Sequence, residues 1–588
     1  MSKKFLIYFW MAPFILLASC NKDLLEQYPT DSVSPQTFFK TENDLISYTN
    51  SFYTNLPSAD YIYSEDYDNV VKSSVKGEIS GSRTVPTTDG TRWSWAALRN
   101  INFFLNSANV KNFTNPTIRD KYIGLARFFR ASFYFDKVRW FGDVPWYNVV
   151  IETNDVDNLM KARDSRTLVM DSILADLNFA IANLDATKSV ERVTKWTALA
   201  LKSRVCLYEG TWRKYHTEFN LPDANRFLAE SVSASDELMT SSGYTVYTAT
   251  NGPTGKPYTD LFSPMTLDPV ATEVILGRRF SNDLGLRHNL QFYLTASTQG
   301  KPGLEKRLVN SYLMADGKRF TDIPGYDTLQ YFAEVQNRDP RLGQTIKLPG
   351  YTRVGSSTLS PVSFASTMTG YQPIKWLNAA TMDLSSQSYQ DLLLFRFGEV
   401  LLNFAEAKAE LGTLTQADID RSVKLLRDRI GMPNLSMADA NAIPDPYQAN
   451  LYKNVSGANK GVILEIRRER RIELVMENNN RWDDLMRWKE GHLLATQFQG
   501  TYFPGVGRYD VDRNGTNEIE IYSGEKPPAV GGVYQMPVSE LDLGTRGNIL
   551  TNRNVNKVWR EDRDYLYPLP IEDLNLNPNL TQNPGWTE

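Results

Sequence analysis

The chain has only two cysteines and three histidines in 588 residues. His216, His288 and His492 lie far apart, and none has a cysteine or histidine at ligand spacing, so a Cys/His zinc site is excluded and histidine-based catalysis is poorly provided for. No apolar run reaches the about 20 residues that a transmembrane helix needs. An excess of basic residues is missing too: the net charge is −4, which argues against nucleic acid as a partner. Phosphate-binding loops and nucleophile elbows are absent. What remains is a large globular chain, 41% hydrophobic and 22% charged, with no ready-made catalytic apparatus.

The two cysteines are not equivalent. Lys3 and Lys4 precede an apolar stretch from Phe5 to Leu17, broken by Pro13, and then comes Leu17-Ala18-Ser19-Cys20. Charge, a short apolar core and small residues make residues 1–19 a signal peptide. A cysteine directly after the small residues fits a lipobox, with acylated Cys20 as the new N-terminus; the alternative is a plain secretion signal with an incidental cysteine. One acyl chain holds only marginally, at about 0.8 kcal/mol per buried methylene, whereas a lipoprotein cysteine carries two or three chains. With Cys20 acylated, only Cys206 is left, and no intrachain disulfide can form. Residues 20–35 are polar, hold two prolines, and read as a tether.

Helical periodicity dominates up to residue 242 and returns after 390. Apolar stripes run over 117–141, 168–184, 194–215, 223–239, from Leu393 to Leu411, over 416–430 and over 461–478; Gly142 and Gly412 are stop signals. Paired amphipathic helices with short links predict a mostly α fold, a tetratricopeptide-like scaffold over 36–242 and 391–500. Residues 243–390 are rich in Gly, Pro, Ser and Thr and predict an irregular, ligand-facing lobe. Residues 501–588 form a C-terminal segment with short β-hairpins. Aromatics make up 12% of the chain. Most belong to a core, but Trp93, Trp95, Tyr244, Tyr258, Tyr326 and Tyr351 stand in polar, turn-like contexts and are expected to offer stacking faces, for sugars among other ligands.

Five stretches carry a resemblance: ARFFRASFYFDKVRWFGDVPWY (126–147), RDPRL (338–342), RFGEVLLNFAEAKAELG (396–412), RRERRIELVMENNNRWDDLMRWKEG (467–491) and YLYPLPIEDLNLNPNLTQNPGW (565–586). In this order they resemble the SusD/RagB family, nutrient-binding outer-membrane lipoproteins of Bacteroidetes. The resemblance implies a helical scaffold with tetratricopeptide-like pairs and an irregular lobe, and a surface-exposed lipoprotein that sits as a lid on a TonB-dependent, SusC-like β-barrel transporter. It also implies binding of an oligosaccharide, or in some branches a peptide or other nutrient, without catalysis. Asp23 and Glu26 resemble an acidic surface-export signal, from whose commonest forms Asn21 and Lys22 depart.

The resemblance also nominates ligand-binding residues. Trp95 and Asn100, five apart at the start of one helix, match a sugar-contacting tryptophan and asparagine, with Trp93 beside them. Arg83 and Asp66 or Asp68 are the upstream partners. Tyr293 or Tyr326 would supply a second aromatic wall. An indole stacks on the C–H face of a pyranose, and an amide serves vicinal hydroxyls.

Carboxylate pairs invite an enzymatic reading, a lipid-anchored glycan hydrolase. Glu473 and Glu477 share a helix face near Arg467–Arg471, and Glu399 and Glu406 share another. Arginines at this density hold carboxylates ionised rather than raise a pKa for acid catalysis, so an ion-pair network is the expectation. In DVDRNGTNEIEIY (510–522), Asp510, Asp512 and Asn514 occupy positions 1, 3 and 5 of a Ca²⁺ loop with Gly515 at position 6, but position 12 is Ile521. The competing reading is a polar hairpin turn on Asn514-Gly515. No other cofactor is expected. An adaptor that binds only proteins is a third reading.

Overall fold

The structure, a computed structural model, describes residues 38–63 and 65–586. The signal peptide, Cys20 and the tether to residue 35 lie outside the described residues, as do Asp23 and Glu26.

The frame is helical. Asn115 starts Pro116–Phe141 by accepting the Thr117 and Ile118 N–H groups, Pro116 sits where its missing N–H costs nothing, and Gly142, at φ 73°, ends the helix. This helix packs on Arg166–Asn183, and Lys195–Tyr215 packs on Ala224–Ser241. Glycines let both pairs approach: a Cβ on Gly124 would lie 3.5 Å from the Ala180 Cα, and one on Gly210 only 2.7 Å from the Leu228 Cγ. Ala224–Ser241 then packs on Phe397–Leu411, which packs on Lys460–Glu473. This is the stacked-pair scaffold that the periodicity predicts.

Three stripes end differently from the prediction. Leu392–Arg396 is a strand, paired antiparallel with Val274–Arg278, and the helix begins only at Phe397. All five strand residues are buried, and periodicity cannot separate such a run from a buried helix. The 416–430 stripe breaks into Gln416–Asp420 and Val423–Asp428. Lys460–Glu473 stops short of residue 478 because Met476, Asn478 and Asn479 adopt left-handed backbone, φ 59°, 49° and 56°.

The remaining elements are short. Val70–Val71 pairs with Gly303–Leu304, and Phe498–Phe503 with Gly547–Thr551. The hairpin expected at 510–522 forms between Gly507–Tyr509 and Ile519–Tyr522, and Tyr534–Pro537 joins it in parallel. Two large hydrophobic clusters result. One fills the helical scaffold and takes in Tyr565–Leu569. The other fills the irregular lobe and recruits residues from 59–70, 472–476 and 503–549. The C-terminal strands thus belong to the lobe's core, and the N-terminal segment 59–72 is the seam between the two clusters.

Candidate functional site

The carboxylates with a catalytic look are framework. Glu473 is fully buried and accepts Arg396 at 2.9 Å, Arg341 at 3.0 Å and Arg429. Burial would raise its pKa, but the three guanidinium groups outweigh burial and hold the carboxyl well below its usual range. Glu477 takes Arg396 at 2.7 Å and Lys375 at 2.6 Å. Glu399 pairs with Arg204 at 2.6 Å, and Glu406 with Arg487 and the Trp488 indole. The expected ion-pair network exists, yet the arginines around Glu473 come from three other elements. Of the run 467–471, Arg471 turns to Asp68 and Arg470 to Asp484.

The nominated ligand residues separate. Five helical steps turn the chain by about 140°, so Trp95 and Asn100 cannot share a face. Trp95 is half-buried at the N-cap of Ala96–Asn106 among Trp93, Phe133, Tyr134 and Tyr147, with ring centroids at 5.3, 5.7, 6.2 and 5.5 Å. Asn100 accepts the Tyr48 hydroxyl and donates to Ser51 Oγ at 3.1 Å. Trp93 is buried, 4.7 Å from the Phe141 ring. Arg83 pairs with Asp564 at 3.0 Å and lies over Tyr567 and Trp586. Asp68 is buried between Arg481, at 2.8 Å, and Arg471, at 3.2 Å; these cations outweigh burial and keep it ionised. Tyr326 packs edge-on against Phe320 and Tyr447. Tyr244 and Tyr258 are buried and Tyr351 is half-buried, so the expected stacking faces are mostly core. The reason is common to all: polar neighbours in sequence do not reveal aromatic neighbours in space.

Asp66 and Tyr293 do converge, through residues the sequence reading missed. Tyr293, on Leu290–Thr295, stacks on Tyr63 at the end of Ala59–Tyr63, with centroids 4.2 Å apart and planes at 29°. On the Tyr63 ring lies the Lys72 ammonium, 3.6 Å from the centroid, which also donates to the Tyr63 carbonyl. The Tyr63 ring is thus engaged by both Tyr293 and Lys72, while Tyr293 is half-buried. The Tyr63 hydroxyl donates to the Gln299 carbonyl at 2.8 Å, and Ser73 N–H to the Gly300 carbonyl at 2.7 Å. Asp66 faces Lys72 and Lys76; burial, only partly offset by these cations, pushes its carboxyl up to about 6. Burial also brings Lys72 down to about 8 and Tyr63 up to about 12. The result is an aromatic ledge with a carboxyl and an ammonium at its root, fixed where the N-terminal segment docks on the lobe. The signal in the sequence was the density of Tyr, Asp and Glu in DYIYSEDYDN (60–69).

A second cluster sits in the 510–518 loop. Ligand atoms of Asp510, Asp512 and Glu518 all lie within 4.8 Å of one another. Asp510 accepts the Asn514 and Gly515 N–H groups, at 3.0 and 2.7 Å, which wraps the loop around the carboxylates. Glu518, at position 9, turns inward, whereas Glu520 pairs outward with Arg508. Asn514 contributes its amide at the rim, 3.5 Å from Glu518.

A scaffold of stacked helix pairs carrying an irregular lobe defines a tetratricopeptide-like helical fold, and comparison with known proteins gives the family. The SusD family pattern matches residues 290–586, and a second, described as starch-binding associating with outer membrane, matches 25–207. The chain belongs to the SusD family. It is 24% identical to SusD-like protein P38 of Formosa agariphila over 489 residues, 80% of this chain and 88% of that one. Among solved structures, a SusD-like carbohydrate binding protein of Bacteroides fragilis is similar at a TM-score of 0.68 and 21% identity, covering 93% of this chain and all of that one. A laminarin binding SusD-like protein matches at a TM-score of 0.53 and 15% identity, covering 93% of this chain and all of that one.

Proposed function

We propose that this protein is a surface-exposed lipoprotein of the outer membrane, anchored through Cys20, that binds a nutrient glycan at the Tyr293 ledge and delivers it to a TonB-dependent, SusC-like transporter. The observation that carries the glycan reading is the Tyr63–Tyr293 stack, rigidly backed by Lys72 and flanked by Asp66, in a family whose solved relatives include a carbohydrate binding and a laminarin binding protein. The outer-membrane placement draws on the family description. Among the described residues no helix is long and apolar enough to cross a membrane. Anchoring through Cys20 rests on the Leu17-Ala18-Ser19-Cys20 order alone. A peptide-binding role is the alternative within the family; a glycan-degrading enzyme is disfavoured by the arginine-paired state of every carboxylate pair considered. Incubation of purified protein with laminarin and a panel of other glycans tests the reading: binding without product release supports it, and product formation contradicts it.

Calcium belongs to the same proposal. Asp510, Asp512 and Glu518 would supply carboxylate oxygens suited to this cation, and Asn514, whose amide nitrogen faces Glu518 while its oxygen accepts the Thr516 N–H at 2.8 Å, would have to turn to add an amide oxygen. Burial and mutual repulsion raise the Asp512 and Glu518 carboxyls, which a divalent ion would relieve. Calcium should raise the melting temperature relative to EDTA in the wild type and leave Asp512→Asn unchanged; equal melting in both conditions contradicts the site.

A further inference from the structure

We propose that Glu65 is a proton-operated latch that ties the loop carrying Tyr63 to the left-handed turn after Lys460–Glu473, so that the ledge tightens in mild acid and loosens in mild base. The Glu65 side chain is buried in the seam between the two cores, at 2% exposure. Its Oε2 accepts the Met476 N–H at 2.6 Å. Its Oε1 has no hydrogen-bond partner among the described residues. The turn it grips is costly in itself: Met476, Asn478 and Asn479 all occupy left-handed backbone, which non-glycine residues adopt at a penalty.

Burial, and not the sum of the facing charges, favours the neutral form of Glu65. From its own loop comes Asp68, ionised by Arg471 and Arg481, with Lys72 and Lys76 farther along the segment. From the lobe comes Lys375, but its ammonium is already committed to Glu477 at 2.6 Å and the Val475 carbonyl at 2.8 Å. Asn69 offers an amide beside the carboxyl, while its own carbonyl oxygen takes Arg471. Burial dominates and pushes the Glu65 carboxyl up to about 7. An ionised Glu65 in this place would be a buried carboxylate that the Met476 N–H, the Asn69 amide and a Lys375 shared with Glu477 compensate only in part, and the relief is to move toward water, which breaks the bond to Met476. Protonated, it keeps that bond and has an O–H to give.

The loop held by this bond is the one that matters for the ledge. Tyr63 lies two residues before Glu65 and Lys72 seven after it, and Asn69 of the same loop accepts the Glu305 N–H at 2.8 Å. The latch concerns the order of the ledge whatever it binds, so its failure leaves the glycan reading standing.

Hydrogen exchange on the full mature chain without ligand tests it. If opening returns Glu65 to an ordinary carboxyl pKa, linkage predicts that the opening equilibrium rises about tenfold between pH 6 and pH 8.5. Peptides covering 59–72 and 474–482 should lose about fivefold in protection over that range, the Glu65 and Asp66 contributions being partly offset by Lys72, after correction for intrinsic exchange, while scaffold peptides in 116–141 hold theirs. In Glu65→Gln, which is neutral throughout, the response should be about tenfold smaller than in the wild type, because the groups left, Asp66 and Lys72, act in opposite senses by the same linkage. A wild-type change below about twofold overturns the proposal without any variant. So does a Glu65→Gln protein that keeps the full wild-type response.

Discussion

Replacing Glu473 with glutamine removes one negative charge from the most buried part of the fold while keeping the side-chain volume. No cavity opens, so the loss is electrostatic. Arg341, Arg396 and Arg429 come from three separate elements and meet on this one carboxylate. An amide oxygen can still accept, but three guanidinium groups then share fewer charges in a region closed to water. Arg396 keeps Glu273 and Glu477, Arg341 keeps Asp339 and Glu469, and Arg429 keeps Glu273 at 3.3 Å, so each cation retains a partner. Breaking one member of a buried pair costs about 3–5 kcal/mol, and the surviving partners argue for the lower end, about 3 kcal/mol. Urea denaturation followed by circular dichroism reads this directly as a lower midpoint at unchanged slope. A loss under about 1 kcal/mol, the scale of an exposed ion pair, would refute the framework role. Loss of a hydrolytic activity with stability intact would point instead to catalysis.

Stability should peak in mild acid. Burial raises Glu65 to about 7, Asp66 to about 6 and Glu490 to about 7. Groups raised on folding bind protons more tightly in the folded state, so their contribution is full below the unfolded value near 4 and is lost as pH rises through about 6–7. Glu406 and Glu218, lowered to about 2 by arginine or by histidine and lysine partners that outweigh burial, act in the opposite sense: their contribution is present above the unfolded value and vanishes as pH falls toward 2. The melting temperature should therefore rise from pH 7.5 to about 5 and fall steeply below 4, as a buffer series in differential scanning fluorimetry would show. Trp95→Ala should cost roughly 2–3 kcal/mol, less than a fully buried tryptophan, and leave glycan affinity within twofold; unchanged melting with lost binding would restore Trp95 to the ligand site.

The scaffold was legible because amphipathic helices announce themselves at fixed spacing: 117–141 was read within a residue of Pro116–Phe141, with Gly142 as its stop. Leu392–Arg396 was not legible as a strand, because its partner, Val274–Arg278, is more than a hundred residues away. The site was half legible. Asp66 and Tyr293 were named, but Tyr63, the ring that joins them, was hidden in a polar run, and nothing local shows that Lys72 caps it. Trp95 and Asn100 were named by spacing, which does not show that Tyr48 and Ser51 on the neighbouring segment bond the asparagine. Long-range ion pairs such as Asp68 with Arg471 and Arg481 connect residues four hundred apart, and no pattern in the sequence pairs them.

The central claim is that glycan binds on the outer ring of the Tyr63–Tyr293 stack. Isothermal titration of wild type and Tyr293→Ala with the glycan that binds wild type most tightly tests it most directly. Stacking of a nucleobase on one aromatic ring is worth about 1–3 kcal/mol, and with a sugar face set on the same scale Tyr293→Ala should weaken binding roughly tenfold to a hundredfold while the melting temperature stays within about two degrees. Wild-type affinity in a well-folded Tyr293→Ala protein would contradict the account.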